Sequence, residues 1–242
     1  EIKTEKVCAQ VNELVNLAHS EEINEVLLWD HSLYDIDYYP ERFRTGPGGT
    51  IDLDNTEFWE WLKDDYRQML DRVSEADGLV LTFIETGAYA ERQFSKKMKS
   101  SEEKLAAVVN AISDVLIGER KKKLYIRTFA YSEEEYKGTT GCIEYLKYDE
   151  VILMMKETPH DFFLTHPDTY YIQKMDRPVI VEFDLGNEYS GQGVVANTWP
   201  EHVMKRWNSY IHCPNVTGYV ARTDRYGNTS IVTLLMLSNC TP

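Results

Sequence analysis

The chain is expected to fold as a (β/α) barrel of parallel strands, on three observations. Short apolar, β-branched runs alternate with amphipathic helical stretches every 25–45 residues or so, the rhythm of right-handed βα units. Polar and charged residues collect just past the C-terminal ends of those runs, where a barrel presents its site. No Gly-x-Gly-x-x-Gly follows any of the strands, which argues against a dinucleotide-binding sheet.

The elements follow in order. Val7, Val11, Leu14, Val15 and Ala18 share one helical face, so residues 4–19 read as a helix. Residues 25–29 form a short strand that runs into Asp30-His31 and a long aromatic loop through Tyr34, Tyr38, Tyr39 and Phe43. Gly46-Pro47-Gly48-Gly49 is turn material without the spacing or following helix of a phosphate loop. Residues 56–74 give a helix with Phe58, Trp61, Leu62, Met69, Leu70 and Val73 on its buried face. Residues 78–84 are a strand closed by Glu85. Ser100 and Glu103 make a capping box for a helix expected to stop at Gly118. A strand from Leu124 carries Arg127 toward Tyr131, and a short helical segment covers 141–147. Strands near 150–156 and 178–185 follow. Thr198 and Glu201 are expected to cap a helix bearing Val203, Met204 and Trp207. Residues 216–222 are the last strand, and 230–238 start a final helix.

That makes six strands where a closed barrel has eight, and a six-stranded arc has unpaired edges. Two βα units are therefore expected to be missing on the N-terminal side, leaving a single partial catalytic domain over residues 1–242 of a longer enzyme. The alternative is that strands are hidden in the long loops near 30–55 and 85–99.

Composition bounds the function. The 242 residues, 43% of them hydrophobic, suffice for one large core. No apolar run reaches the roughly 18 residues of a membrane span. A formal net charge of −14 argues against nucleic acid as a partner. Arg120-Lys121-Lys122-Lys123 reads as a solvated turn before a strand. The four cysteines, Cys8, Cys142, Cys213 and Cys240, are too scattered for a zinc knuckle, and any pairing is undecided by spacing. Sequons at Asn215, Asn228 and Asn239 do not establish secretion. The N-terminus has neither an initiator Met nor a signal core, so export is left open, periplasmic and secreted settings included.

The stretch from Asp149 to Gln192 carries the chemistry. It holds two apolar strands, each ending in polar residues with a carboxylate just beyond: Asp161 after the first, Glu188 after the second. Glu85 closes an earlier strand. Glycoside hydrolysis uses one acid to protonate the leaving oxygen and a second carboxylate opposite it. A carboxylate that activates water stands roughly 6.5–9.5 Å from the acid and inverts the anomeric centre. Asp161 and Glu188, from neighbouring strands, could share one water. Glu85 follows Phe83-Ile84, and partial burial there would raise its pKa as an acid requires. For any single acid among 40 carboxylates, an ordinary loop or capping role is the simpler account.

Lys156-x-x-x-x-Asp161-Phe162, then Val181-Glu182-Phe183, then Glu188-Tyr189-x-Gly191-Gln192, resembles the signature of the α-glucuronidases of glycoside hydrolase family 67. The resemblance spans about residues 24–239 and is strong over 124–192. It implies a (β/α)8 barrel that releases glucuronic or 4-O-methylglucuronic acid from xylan-derived oligosaccharides with inversion, without a cofactor. Asp161 and Glu188 match the family's paired basic carboxylates. By order and spacing Glu85 matches the acid at the end of the fourth strand, which makes the recognised strands three to eight. Arg127-Thr128-Phe129-Ala130-Tyr131 is similar to the segment whose Arg meets the uronate, and Lys156 matches a second residue facing it. The departures are Leu81, where the family has a clamp Lys, and Ile84-Glu85-Thr86-Gly87-Ala88 around the acid.

Other residues are placed by position alone. His160 and His166 flank Asp161 at a spacing that fits no zinc pattern, so sugar hydrogen bonding is the expectation there. Trp29, Tyr34, Tyr38, Tyr39 and Trp199 suit either stacking on sugar rings or packing. Asp30, His31, Arg222, Asp224 and Arg225 lie at strand ends and could line the site. Glu182 or Asp184 would be a support rather than a catalyst. No nucleophile elbow appears. A non-catalytic carbohydrate-binding barrel, or a glycosidase for another uronic acid or a neutral sugar, is the competing expectation; the oligomeric state is not legible.

Overall fold

The structure is a computed structural model that describes residues 2–186, 188, 189 and 199–223. Its six strands stand in the sheet in the order of the sequence, with helices intervening, which is the (β/α) barrel arrangement. Two compact units divide the chain: residues 1–126 with 134–151, and residues 127–133 with the chain from 152 onward.

In the first unit, helix α1 (Ile2–Ser20) precedes strand β1 (Leu27–His31). Strand β2 (Gly78–Thr82) runs parallel to β1 in register from Leu27↔Gly78 to His31↔Thr82. Helix α2 (Thr56–Arg72) connects them, and the Asn55 side chain caps it by accepting from the Glu57 N–H. Phe58, Leu62, Tyr66 and Leu70 recur every four residues and are buried, so one stripe of α2 faces the core. Phe58 meets Tyr39 and Phe43 edge-on, each with ring centroids 5.8 Å away. That cluster ties the aromatic loop to α2.

No strand lies in the long loops among the described residues. They fold as short 3-10 turns at Ile36–Tyr38, Glu41–Phe43, Pro47–Gly49 and Ala90–Arg92, joined by one isolated parallel bridge, Asp52↔Phe94. The idea of hidden strands there is set aside. Helix α3 (Ser101–Ser113) begins with the expected capping box. It does not stop at Gly118 but widens into a π-helical turn, Asp114–Glu119, that contains this glycine. Strand β3 (Lys123–Arg127) follows, and Gly78 lies where a Cβ would strike the Lys123 backbone carbonyl. Helix α4 (Glu133–Gly141) starts well before the expected segment at 141 and ends in a 3-10 turn, Cys142–Tyr145.

In the second unit, strands β4 (Ile152–Lys156), β5 (Val179–Asp184) and β6 (Val216–Arg222) are parallel, with Lys156↔Glu182 and Asp184↔Arg222 in register. β4 and β5 are buried along almost their whole length, as strands covered on both faces are. Helix α5 (Pro200–Tyr210) packs Trp207 against Phe183 and Tyr219, at 6.3 and 5.6 Å between ring centroids. Its N-cap is Trp199, with no side-chain cap bond; Thr198 lies outside the described residues, as does the expected helix at 230–238. Among the described residues no disulfide joins Cys8, Cys142 and Cys213, and Cys240 lies outside them. No helix of the described residues is long and apolar enough to cross a membrane.

Phe58→Ala removes a fully buried ring from the centre of the aromatic cluster. It is expected to cost about 3–5 kcal/mol in urea unfolding, whereas Ser100→Ala, which removes only a cap, is expected to cost about 1 kcal/mol.

Candidate active site

The polar centre of the second unit is built from strand ends. Arg127 is the last residue of β3, and its Nε and Nη2 donate to the two carboxylate oxygens of Glu182 on β5, both at 2.7 Å. Both side chains are almost completely buried, 5% and 1% exposed. A two-pronged pairing of this kind is what makes a buried ion pair tolerable. Lys156, the last residue of β4, is 3% exposed and donates from Nζ to Asp161 Oδ1 at 2.7 Å. Its ammonium also sits 3.4 Å from the Phe129 ring centroid and 4.2 Å from that of Phe162. Burial, and then the Arg127 charge, push the Lys156 pKa down, while Asp161 and Glu182 pull against them.

Asp161 stands in the loop after β4. Its second oxygen accepts from the Tyr189 hydroxyl at 2.5 Å. Burial alone would raise its carboxyl, but the hydrogen bonds from Lys156 and Tyr189 outweigh that and hold it below the usual range. It is therefore an ionised carboxylate at neutral pH. Glu188 accepts from Arg222 Nη1 at 2.8 Å, and Arg222 also lies over the Phe162 ring, 5.7 Å from its centroid. Asp184 sets the turn that carries Glu188: its carboxylate accepts from the Gly186 and Glu188 N–H groups at 3.0 and 2.7 Å. Burial raises the Asp184 pKa against those bonds.

The Asp161 loop is braced from behind. The His166 ring meets the Asp161 carbonyl at 3.0 Å, and Arg206 of α5 donates to the His166 carbonyl and to Asp168. Arg206 Nε lies 2.8 Å from Glu157 Oε2, yet its N–H points at His202 Nε2, 2.9 Å away. Glu157 Oε2 thus gains charge from Arg206 but no hydrogen bond. Burial pushes Glu157 up to about 7 against the pull of Arg206. His160 Nδ1 is buried and has no hydrogen-bond partner among the described residues.

The first unit holds the remaining candidates. Glu85 is exposed, not partly buried as expected. It instead takes a left-handed backbone, φ 60°, a strained conformation of the kind that collects at functional turns. The backbone turns at Glu85 because β2 ends at Thr82, three residues earlier, so Phe83 and Ile84 pack as loop and not as strand. Trp29 is half-exposed on β1. Asp30 points to the helix side, accepting from the hydroxyls of Tyr34 at 2.5 Å and of Tyr66 on α2 at 2.9 Å. Tyr39 is buried, so its role is packing, while Tyr34, Tyr38 and Trp199 are exposed. His31 bonds the Ile84 carbonyl at 3.1 Å. Asp224, Arg225, Gly191 and Gln192 lie outside the described residues.

Four contributors were not singled out as site residues by sequence: Tyr189, Phe129, Phe162 and Glu157. The first three lie inside the motifs quoted above, so a signal existed. Glu157 had none, because only packing against α5 distinguishes it from an ordinary loop acid. Among the described residues no cluster of three or more His, Cys, Asp or Glu could hold a metal.

No family model and no curated protein matches the chain. Solved structures do. A glycoside hydrolase family 5 enzyme from Prevotella bryantii B14, in complex with a xyloglucan tetradecasaccharide, matches with TM-score 0.51 at 12% identity, over 96% of this chain and 74% of that one. An N-acetylneuraminate lyase from Mycoplasma synoviae matches in two crystal forms with TM-score 0.46 in both, at 13% and 12% identity, over 87% and 90% of this chain. The chain spans 58% and 60% of those two lyase chains. At such identity what is shared with the hydrolase is the fold, a (β/α) barrel, and the resemblance to family 67 rests on the motif residues alone.

Arg127→Met, which strands the Glu182 charge, is expected to destabilise by about 3–5 kcal/mol in urea unfolding, and Arg127→Met with Glu182→Met to recover most of that. Glu157 carries a proton in the folded chain between about 4.5, its ordinary value, and about 7. The unfolded chain has already released it there, so the stability it contributes is lost as pH rises through that window. Wild-type stability is expected to fall across the window by at most about 1.4 kcal/mol per pH unit from this group. Glu157→Gln is expected to flatten the curve.

Proposed function

We propose that this chain carries the site of a glycoside hydrolase that resembles the α-glucuronidases and releases glucuronic or 4-O-methylglucuronic acid from xylan-derived oligosaccharides with inversion. One observation carries the reading. Asp161 and Glu188 stand beyond two adjacent parallel strands, and each is hydrogen-bonded to its own cation, Lys156 or Arg222. Asp161, held below the usual carboxylate range, suits taking a proton from water rather than giving one to a leaving group. In this mechanism Asp161 and Glu188 orient and deprotonate the water, and Glu85 protonates the glycosidic oxygen. Arg127 and Lys156 face the sugar carboxylate, while His160, Trp29 and Arg222 line the sugar; Asp30, turned toward Tyr34 and Tyr66, does not. The xyloglucan oligosaccharide held by the hydrolase of the same fold is in keeping with a plant-polysaccharide substrate. No cofactor enters the chemistry.

A second reading has a specific observation in its favour. Among the described residues Arg127, Lys156 and Arg222 each form an ion pair with a carboxylate of the chain, Glu182, Asp161 and Glu188 respectively. A uronate would have to compete with those partners for its cations. A neutral sugar would not, and Leu81 in place of a clamp lysine points the same way.

Product NMR on aldouronic acids and on neutral oligosaccharides separates the two. Inversion on aldouronic acids is expected, and retention of configuration would remove the water-base role from Asp161 and Glu188. Asp161→Asn and Glu188→Gln are each expected to lower kcat by about 10²–10⁴. Glu85→Gln is expected to lose as much on alkyl glycosides but little on aryl glycosides whose leaving group needs no proton. Arg127→Ala is expected to weaken uronate substrates selectively, and equal losses on neutral ones would favour the second reading.

A further inference from the structure

The first unit contains a cavity of about 240 Å³ whose lining joins α1, the end of β1 and the outer face of α2. Asp30 and Asp65 face it together with Tyr34, Tyr38, Tyr66 and Arg72. The hydrogen bonds to both carboxylate side chains come from neutral donors. Tyr34 and Tyr66 donate to Asp30, along with the His31 N–H, and Tyr38 donates to Asp65 at 2.8 Å. Arg72 makes no ion pair with either among the described residues. Burial raises the pKa of both acids, and at Asp65 the nearby Arg72 charge pulls against it.

The walls are aromatic. The Tyr34 and Tyr38 rings meet at 5.2 Å between centroids and 47°, so they form a corner, and both are substantially exposed. A corner of ring faces beside carboxylates is a receptor for a positive charge spread over an organic group, which draws on the ring quadrupoles as well as on the anions. It is not a metal site: a hard cation asks for six or more oxygen ligands, and among the described residues no cluster qualifies. Among the described residues Asp30 Oδ2 accepts from Tyr66 alone, so it has room for a further N–H donor.

We propose that this cavity binds a small organic ammonium ion, its alkyl part against Tyr34 and Tyr38 and its charge answered by Asp30 and Asp65. The site is independent of the hydrolase reading. Arg72 at the rim opposes the ligand and sets an upper limit on its affinity.

The test is calorimetric titration of the purified chain with n-butylammonium chloride, with n-butanol as the neutral control. Saturable binding of the amine alone is expected. Asp65→Asn keeps the shape of a partly exposed side chain and is expected to weaken binding about tenfold, Tyr38→Leu by a similar factor, and Arg72→Gln to tighten it. Two variants on different elements keep the test decisive if one of them folds poorly, as judged by circular dichroism. Absence of saturation, equal binding of butanol, or amine binding unchanged in the folded variants would overturn the proposal.

Discussion

Burying an arginine and a glutamate costs several kcal/mol per ion, and only close, complete pairing returns it. The Arg127–Glu182 fork meets that condition with two bonds of 2.7 Å, and the arrangement around it follows. Arg127 is a positive charge held at the end of β3, and it adds to burial in pushing down the pKa of Lys156 at the end of β4. Lys156 therefore needs its own compensation, which it finds in Asp161 and in the faces of Phe129 and Phe162. Phe129 also lies under Arg127, 4.8 Å from its ring centroid, so one ring serves both cations. The same logic repeats at β6, where Arg222 takes Glu188. Strand ends in this unit thus carry charges of both signs, each hydrogen-bonded to an opposite one.

That pairing shapes the chemistry open to the site. A carboxylate locked to a cation is a base and not an acid, so the proton donor for glycoside cleavage has to come from elsewhere in the chain. It also means that a substrate's own charge meets a site already neutral within itself. The quantity that decides the substrate class is the competition between a sugar carboxylate and Glu182, Asp161 or Glu188 for the same donors.

Rigidity and strain are distributed unequally. The Asp161 loop is held by Lys156, by Tyr189 and, through His166, by Arg206, whereas Glu188 is set by the two backbone bonds to Asp184. Glu85 has the opposite character: it is exposed and sits at φ 60°. On β1 the period-two alternation sends Asp30 toward α2 and its tyrosines, away from the face shared by Trp29 and His31.

Periodicity and local chemistry settled much from the amino-acid order alone. Six strands, their order, the buried stripe of α2 and the capping box at Ser100 were all legible, because each depends on contacts within a turn or on alternation along a strand. The motif residues Arg127, Lys156, Asp161 and Glu188 could be named, but not paired. Which cation answers which carboxylate is decided by side chains brought together from β3, β4, β5 and β6, up to 55 residues apart in the Arg127–Glu182 case. Burial in the tertiary fold likewise raised Glu157 to about 7, and packing set Asp30 in the wall of a separate cavity. Burial at Ile84 did not extend to Glu85, because β2 ends at Thr82 and Glu85 lies in the exposed turn beyond it. Local sequence determines which elements form and which groups reach the strand ends; only the tertiary structure decides how their charges are shared, since desolvation depends on every neighbour at once.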